Sequence, residues 1–69
     1  MNIVGKNVRA IREMKGLTQE QLVAKCNLLH WNISRSTLAK IESNVRGVSD
    51  KEVKYLADAL NSEITELYL

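Results

Sequence analysis

With one cysteine, Cys26, and one histidine, His30, in 69 residues, the chain has neither an internal disulfide nor the four ligands of a structural zinc site. Packing alone must hold it. A chain of this length has room for one small core, so the expectation is a single domain over residues 1–69, and a two-domain enzyme with an interdomain cleft is excluded. Short helices that pack on their sequence neighbours meet that condition best. The residue types agree: there are no prolines or phenylalanines, only three glycines, and the common residues are helix formers, not the β-branched and aromatic mix of a small barrel. The fold class expected is all-α.

Charge narrows the partners. Ten Lys and Arg against eight Asp and Glu give a net charge of +2, too little to bind polyanions indiscriminately, so any nucleic-acid binding must come from where the charges stand. No apolar run exceeds three residues and no secretory leader pattern is visible, which excludes a membrane span and points to a reducing cytoplasm.

The punctuation marks five short helices. Val4, Val8 and Ile11 recur at helical spacing, and Gly16 follows Lys15 as a stop, giving a first helix over residues 4 to 15. Thr18 with Gln21 forms a capping box that starts the second at Gln19, with Leu22 and Cys26 as its buried stripe. Leu29 prolongs that stripe, so the end of this helix falls between Asn27 and His30. Ser34 caps a third helix from Arg35 to about Ser43. Ser49 with Glu52 is a second capping box, opening a fourth helix that carries Val53, Leu56, Ala57 and Leu60 and ends near Asn61. A fifth, from Ile64 to Tyr68, is expected to bring Ile64, Leu67 and Tyr68 back onto the core.

The third helix has two unlike sides. At about 100° per residue, Leu38 and Ile41 fall on one, while Arg35, Ser36, Ala39, Lys40 and Ser43 gather on the other. A merely solvated face is usually a mixture of Glu and Lys, whereas this one has two cations, hydroxyls and a small Ala, with no acid. Such a face suits a phosphate-lined groove: Arg and Lys donate to guanine O6 and N7, Ser adapts to either role, and Ala permits close approach or contact with a thymine methyl. Glu42 sits on the border of the inward side, and Arg12 flanks the stripe of the first helix. The expectation is a semi-buried bidentate pair between them that ties the two helices together and keeps the carboxylate from repelling phosphates.

Taken in order, Leu17-Thr18-Gln19-Glu20-Gln21-Leu22, Ile33-Ser34-Arg35-Ser36-Thr37-Leu38-Ala39-Lys40-Ile41-Glu42, Leu56-Ala57-Asp58-Ala59-Leu60 and Ile64-Thr65-Glu66-Leu67-Tyr68 resemble the helix-turn-helix domain of phage repressor and Cro proteins and XRE-type bacterial regulators. The resemblance spans residues 4 to 68. It implies a five-helix, lambda-repressor-like domain in which helices 2 and 3 form the helix-turn-helix and helix 3 enters the major groove of double-stranded DNA. By position it assigns base reading to Arg35, Ser36, Ala39 and Lys40. Backbone contacts fall on Gln19, Ser34, Thr37, Ser43, Asn44 and Arg46, and the family's internal ion pair on Arg12 and Glu42. It also implies a homodimer, at least on DNA, reading a near-palindromic operator. The chain departs from the family in holding Val23 and Asn27 where Ala and Gly are usual, followed by a five-residue insertion, Leu28 to Asn32. Asn27 is able to take a left-handed conformation, but the connection is too long for the usual tight turn, so helix 2 is expected to extend to about Leu29 or His30. Leu28, Leu29 and Trp31 are expected to fold onto the core; the other reading leaves part of this cluster, or Tyr68 and Leu69, exposed as a subunit contact.

Catalysis finds little support. Cys26 and His30 are four residues apart, as a nucleophile and its base would be on one helix, but Cys26 shares the buried stripe and reads as a packing thiol. Gly5, Gly16 and Gly47 are isolated and make no phosphate loop. Neither a metal nor a cofactor is expected. The favoured reading is a sequence-specific transcriptional regulator that represses by occupying a promoter, since no second domain for ligand sensing is seen. The alternative is a protein-interaction module such as the antitoxin of a toxin pair.

Overall fold

The computed structural model describes residues 3–69. Four α-helices follow one another, α1 (Val4–Met14), α2 (Gln19–Leu28), α3 (Arg35–Glu42) and α4 (Asp50–Leu60), and a 3-10 turn (Ile64–Tyr68) follows α4. The fifth element is thus a tight turn and not an α-helix, which corrects the five-helix expectation. Runs with 3-10 hydrogen bonding stay short because their side chains eclipse at i, i+3 and their bond geometry is poorer.

The starts of the helices follow from their capping side chains. Thr18 Oγ1 accepts from the Gln21 amide at 3.1 Å while Gln21 Oε1 accepts from the Thr18 amide at 2.8 Å. Ser49 and Glu52 repeat the arrangement at 3.3 and 3.0 Å. Ser34 Oγ accepts from the Thr37 amide at 3.2 Å, which fixes the first turn of α3.

The ends of the helices share one device. Gly16, His30, Asn44 and Asn61 all have left-handed backbones, with φ of 72°, 67°, 63° and 53°. After each, the next amide reaches back over the helix end: Leu17 to the Arg12 carbonyl at 3.0 Å, Trp31 to Cys26 at 3.1 Å, Val45 to Lys40 at 2.9 Å and Ser62 to Ala57 at 2.9 Å. These are Schellman terminations, which satisfy carbonyls that the helix leaves without a partner. The left-handed residue after α2 is therefore His30, at the far end of the range in which the sequence let this helix stop. Asn27 stays helical and its side-chain amide donates to the carbonyls of Trp31 at 2.9 Å and Ile33 at 3.3 Å, which folds the inserted connection back on α2. A histidine is strained at a site where glycine is not. His30→Gly is accordingly expected to stabilise the fold by about 1 kcal/mol, raising the melting temperature by about 5 °C. An unchanged or lower melting temperature would contradict the strain.

The core is one cluster. Val4, Val8 and Ile11 of α1 meet Leu22 and Cys26 of α2, Leu38 and Ile41 of α3, Val53, Leu56 and Leu60 of α4, and Leu67 of the 3-10 turn. The inserted connection is divided. Leu29 and Trp31 pack against the core, and the Trp31 ring stacks on Tyr55 of α4 with centroids 5.6 Å apart. Leu28 is 80% exposed, because two residues beyond Cys26 the helix has turned to its opposite side. Ile64 and Tyr68 likewise remain largely exposed, and only Leu67 of that turn reaches the interior. Two side-chain ties hold the ends together: Asn7 Nδ2 donates to the Leu67 carbonyl at 2.8 Å, and Lys15 Nζ donates to the terminal carbonyls of α4 at Leu60 and Asn61, where a cation is favoured by the helix dipole.

Candidate nucleic-acid interface

Everything about the outer face of α3 depends on what holds its inner face. Leu38 and Ile41 are fully buried. Beside them the Arg12 guanidinium grips Glu42 through two parallel bonds, Nε to Oε2 at 2.7 Å and Nη2 to Oε1 at 3.1 Å, and spends Nη1 on the Leu17 carbonyl at 2.8 Å. Both residues are buried, at 8% and 7% exposure, and among the described residues no buried side-chain nitrogen or oxygen lacks a hydrogen-bond partner. The Glu42 carboxylate, foremost by accepting these bonds, raises the pKa of the Arg12 guanidinium above its ordinary value. The pair joins α1 to the last turn of α3, as the sequence implied, and directs the one acid of α3 away from the outer face.

That outer face has the composition the periodicity indicated. Arg35, Ser36, Lys40 and Ser43 are exposed, and Ala39 and Thr37 are half-buried. Lys40 forms no ion pair among the described residues, while its carbonyl, accepting from Val45 and Arg46, ends the helix. Ser34 is occupied in the cap and donates its hydroxyl to Thr37 Oγ1 at 3.1 Å. Ser43 Oγ donates to the Lys40 carbonyl at 3.3 Å, and Asn44 is exposed at the left-handed turn.

Two further residues assigned to backbone contact, Gln19 and Arg46, are tied to carboxylates of the protein. Gln19 Nε2 donates to Glu42 Oε1 at 3.0 Å, so the first residue of α2 is fastened to the buried ion pair. Arg46 embraces Glu52 with Nη1 at 3.1 Å and Nη2 at 2.8 Å. The Arg46 hydrogen bonds hold the Glu52 carboxyl below the usual carboxylate range, so Arg46 is a largely neutralised cation in the turn between α3 and α4.

Sequence reasoning missed two neighbours of the face. Glu20, on the first turn of α2, stands with Oε2 at 3.6 Å from Arg35 Nε; its sign was visible in the sequence, but its position depends on the α2 to α3 angle. Val45, 75% exposed beside Asn44 and Arg46, is an apolar side chain on the surface of the turn that follows α3. At the other end of α2, burial pushes the Cys26 thiol up to about 11. A thiol so held is not the thiolate that nucleophilic chemistry requires.

Comparison with known proteins identifies this arrangement of helices. The family model described as Helix-turn-helix matches residues 8–67. The chain belongs to this helix-turn-helix family, of the XRE and Cro-like type. Its members are non-enzymatic DNA-binding regulators. The chain is also 32% identical over 66 residues to a competence pilus inhibition repressor from Acinetobacter baylyi, a match covering 96% of this chain and 56% of the relative. The chain thus spans little more than half the length of that curated relative. No solved structure matches it significantly. No helix among the described residues is long and apolar enough to cross a membrane.

Proposed function

We propose that the protein is a sequence-specific double-stranded DNA-binding regulator that represses transcription, with the outer face of α3 in the major groove. The observation that carries this reading is that face itself: Arg35 and Lys40 exposed on a helix whose register is set by the Ser34 cap and the Arg12–Glu42 pair. Repression draws its support from the printed name of the Acinetobacter relative.

In this account Arg35 and Lys40 donate to base edges, and Ser36 and Ala39 fit around them. Ser34, Thr37, Ser43 and Asn44 border the face and meet the sugar-phosphate backbone, which positions the helix without reading sequence. Gln19 offers the second N–H of its amide, since the first is held by Glu42. Arg46 keeps unshared donors at its guanidinium, but its charge is already balanced by Glu52. Two copies on a near-palindromic operator, with half-sites about 34 Å apart, would place both α3 helices in successive turns of one groove.

The two arginines therefore have separable roles. Arg35→Ala should cost about 1 to 3 kcal/mol on a selected site and relax the preference at one base pair, whereas Arg46→Ala should weaken all sequences alike and reduce the salt dependence by up to about one unit. Titration of labelled duplexes at two salt concentrations measures both. Identical behaviour of the two variants would contradict the assignment.

A further inference from the structure

The acid missing from the outer face of α3 is supplied to its first residue by another helix. Glu20 and Arg35 both lie in the first turn of a capped helix, α2 behind the Thr18 and Gln21 box and α3 behind Ser34. Their backbones are thereby fixed relative to each other by the packing of α2 on α3, and only side-chain torsions remain free. The two side chains approach at one edge of the guanidinium: Glu20 Oε2 stands 3.6 Å from Nε, an ion-pair contact longer than a hydrogen bond. Both side chains are well exposed, at 72% and 61%, so the contact contributes little to holding the fold.

We propose that Glu20 is a positioning residue that sets the base preference of Arg35. The inference rests on the reading of α3 given above. A guanidinium can meet guanine O6 and N7 either end-on, through its two terminal nitrogens, or side-on, through Nε and one terminal nitrogen. A carboxylate standing nearest Nε draws the side-on edge towards itself and favours the end-on fork as the surface offered to the groove. The same carboxylate opposes capture of Arg35 by a phosphate, because the Glu20 charge would have to approach the phosphate as well. Arg35 is thereby biased from backbone contact towards base contact. Glu20 itself touches neither in this scheme and acts only through Arg35.

The test compares the full chain with its Glu20→Gln, Arg35→Ala and doubly substituted forms on a panel of duplexes in which each base pair of a selected site is varied singly. Glu20→Gln keeps the shape and removes the charge. The expected result is that Glu20→Gln lowers discrimination at the base pair read by Arg35 by about fivefold or more, leaves the other positions unchanged, and has no further effect once Arg35 is alanine. Three results overturn the proposal: a uniform gain in affinity for every duplex, which marks a bulk charge effect; loss of discrimination that persists without Arg35, which would make Glu20 a base reader; or no change at all. An Arg35→Ala chain with every preference intact overturns the reading of α3 itself and this inference with it. Retained discrimination in Glu20→Gln beside its loss in Arg35→Ala overturns the positioning role alone.

Discussion

Glu42→Ala is expected to leave the protein largely unfolded at 37 °C. Removing the carboxylate leaves the Arg12 guanidinium at 8% exposure with one hydrogen bond, to the Leu17 carbonyl, and the exposed Glu13 carboxylate 3.9 Å away, and breaking one side of a buried ion pair costs about 3 to 5 kcal/mol. A domain of this length has a total stability of roughly 3 to 10 kcal/mol, so most of the margin disappears. The loss has a second part, because the Gln19 amide also depends on Glu42. Arg12→Ala should be nearly as damaging, and the double substitution less so than the sum. Denaturant unfolding of the four chains measures the coupling. A value of about 2 kcal/mol is expected, and one below about 0.3 kcal/mol would mean that the pair does not hold α1 to α3. As an apolar pair of similar volume could replace it with little loss of stability, its value here lies in fixing α3 in register and hiding an acid from the groove.

Gly5→Ala is the second large effect. Gly5 is buried in α1 where α1 crosses the end of α3, and a Cβ there would overlap the carbonyl oxygen of Ile41. That carbonyl accepts from the Asn44 amide at 3.1 Å in the termination of α3, so it cannot swing aside without opening the turn. Forcing the helices apart costs about 3 kcal/mol or more, against a gain of about 1 kcal/mol from the better helix propensity of alanine. The expected net loss is about 2 kcal/mol. Gly47→Ala is the internal control, since nothing lies within 4 Å of a Cβ at that position and its backbone is not left-handed; its stability should change by less than about 1 kcal/mol. Equal melting temperatures for the two variants would contradict the close approach of α1 and α3.

What could be read from the sequence is what depends on neighbours a few residues away. Thr18, Ser34 and Ser49 each find their partner three residues on, so the helix starts were legible. The apolar stripes fixed which side of each helix turns inward, and Arg12 and Glu42 could be paired because each borders such a stripe. The ends were harder. Gly16 and Asn61 carry the usual signal for a left-handed residue, but His30 does not, and the bend there is held by the Asn27 side chain and by the packing of Trp31 against Tyr55, a residue of another helix. Gly5 looked incidental, because its need for space is set by Ile41 on α3. The same limit hid Glu20 from the α3 face: the charge was plain, but its distance from Arg35 depends on how an unusually long connection orients two helices. That connection also defeated a simple apolar count, since Leu28 and Leu29 differ in angle at the end of α2, while Trp31 lies past the left-handed His30 and packs on α4.

The proposed function stands on the exposed side of α3 reading duplex DNA. Its most direct test is selection of bound fragments from random double-stranded DNA, carried out in parallel with the intact chain and with an Arg35→Ala, Lys40→Ala double variant shown by circular dichroism to be folded. The intact chain is predicted to enrich a defined sequence with two-fold related halves about 34 Å apart, and the double variant to lose that sequence while retaining weak, salt-sensitive binding. Enrichment of the same sequence by both chains, or of none by either, would contradict it.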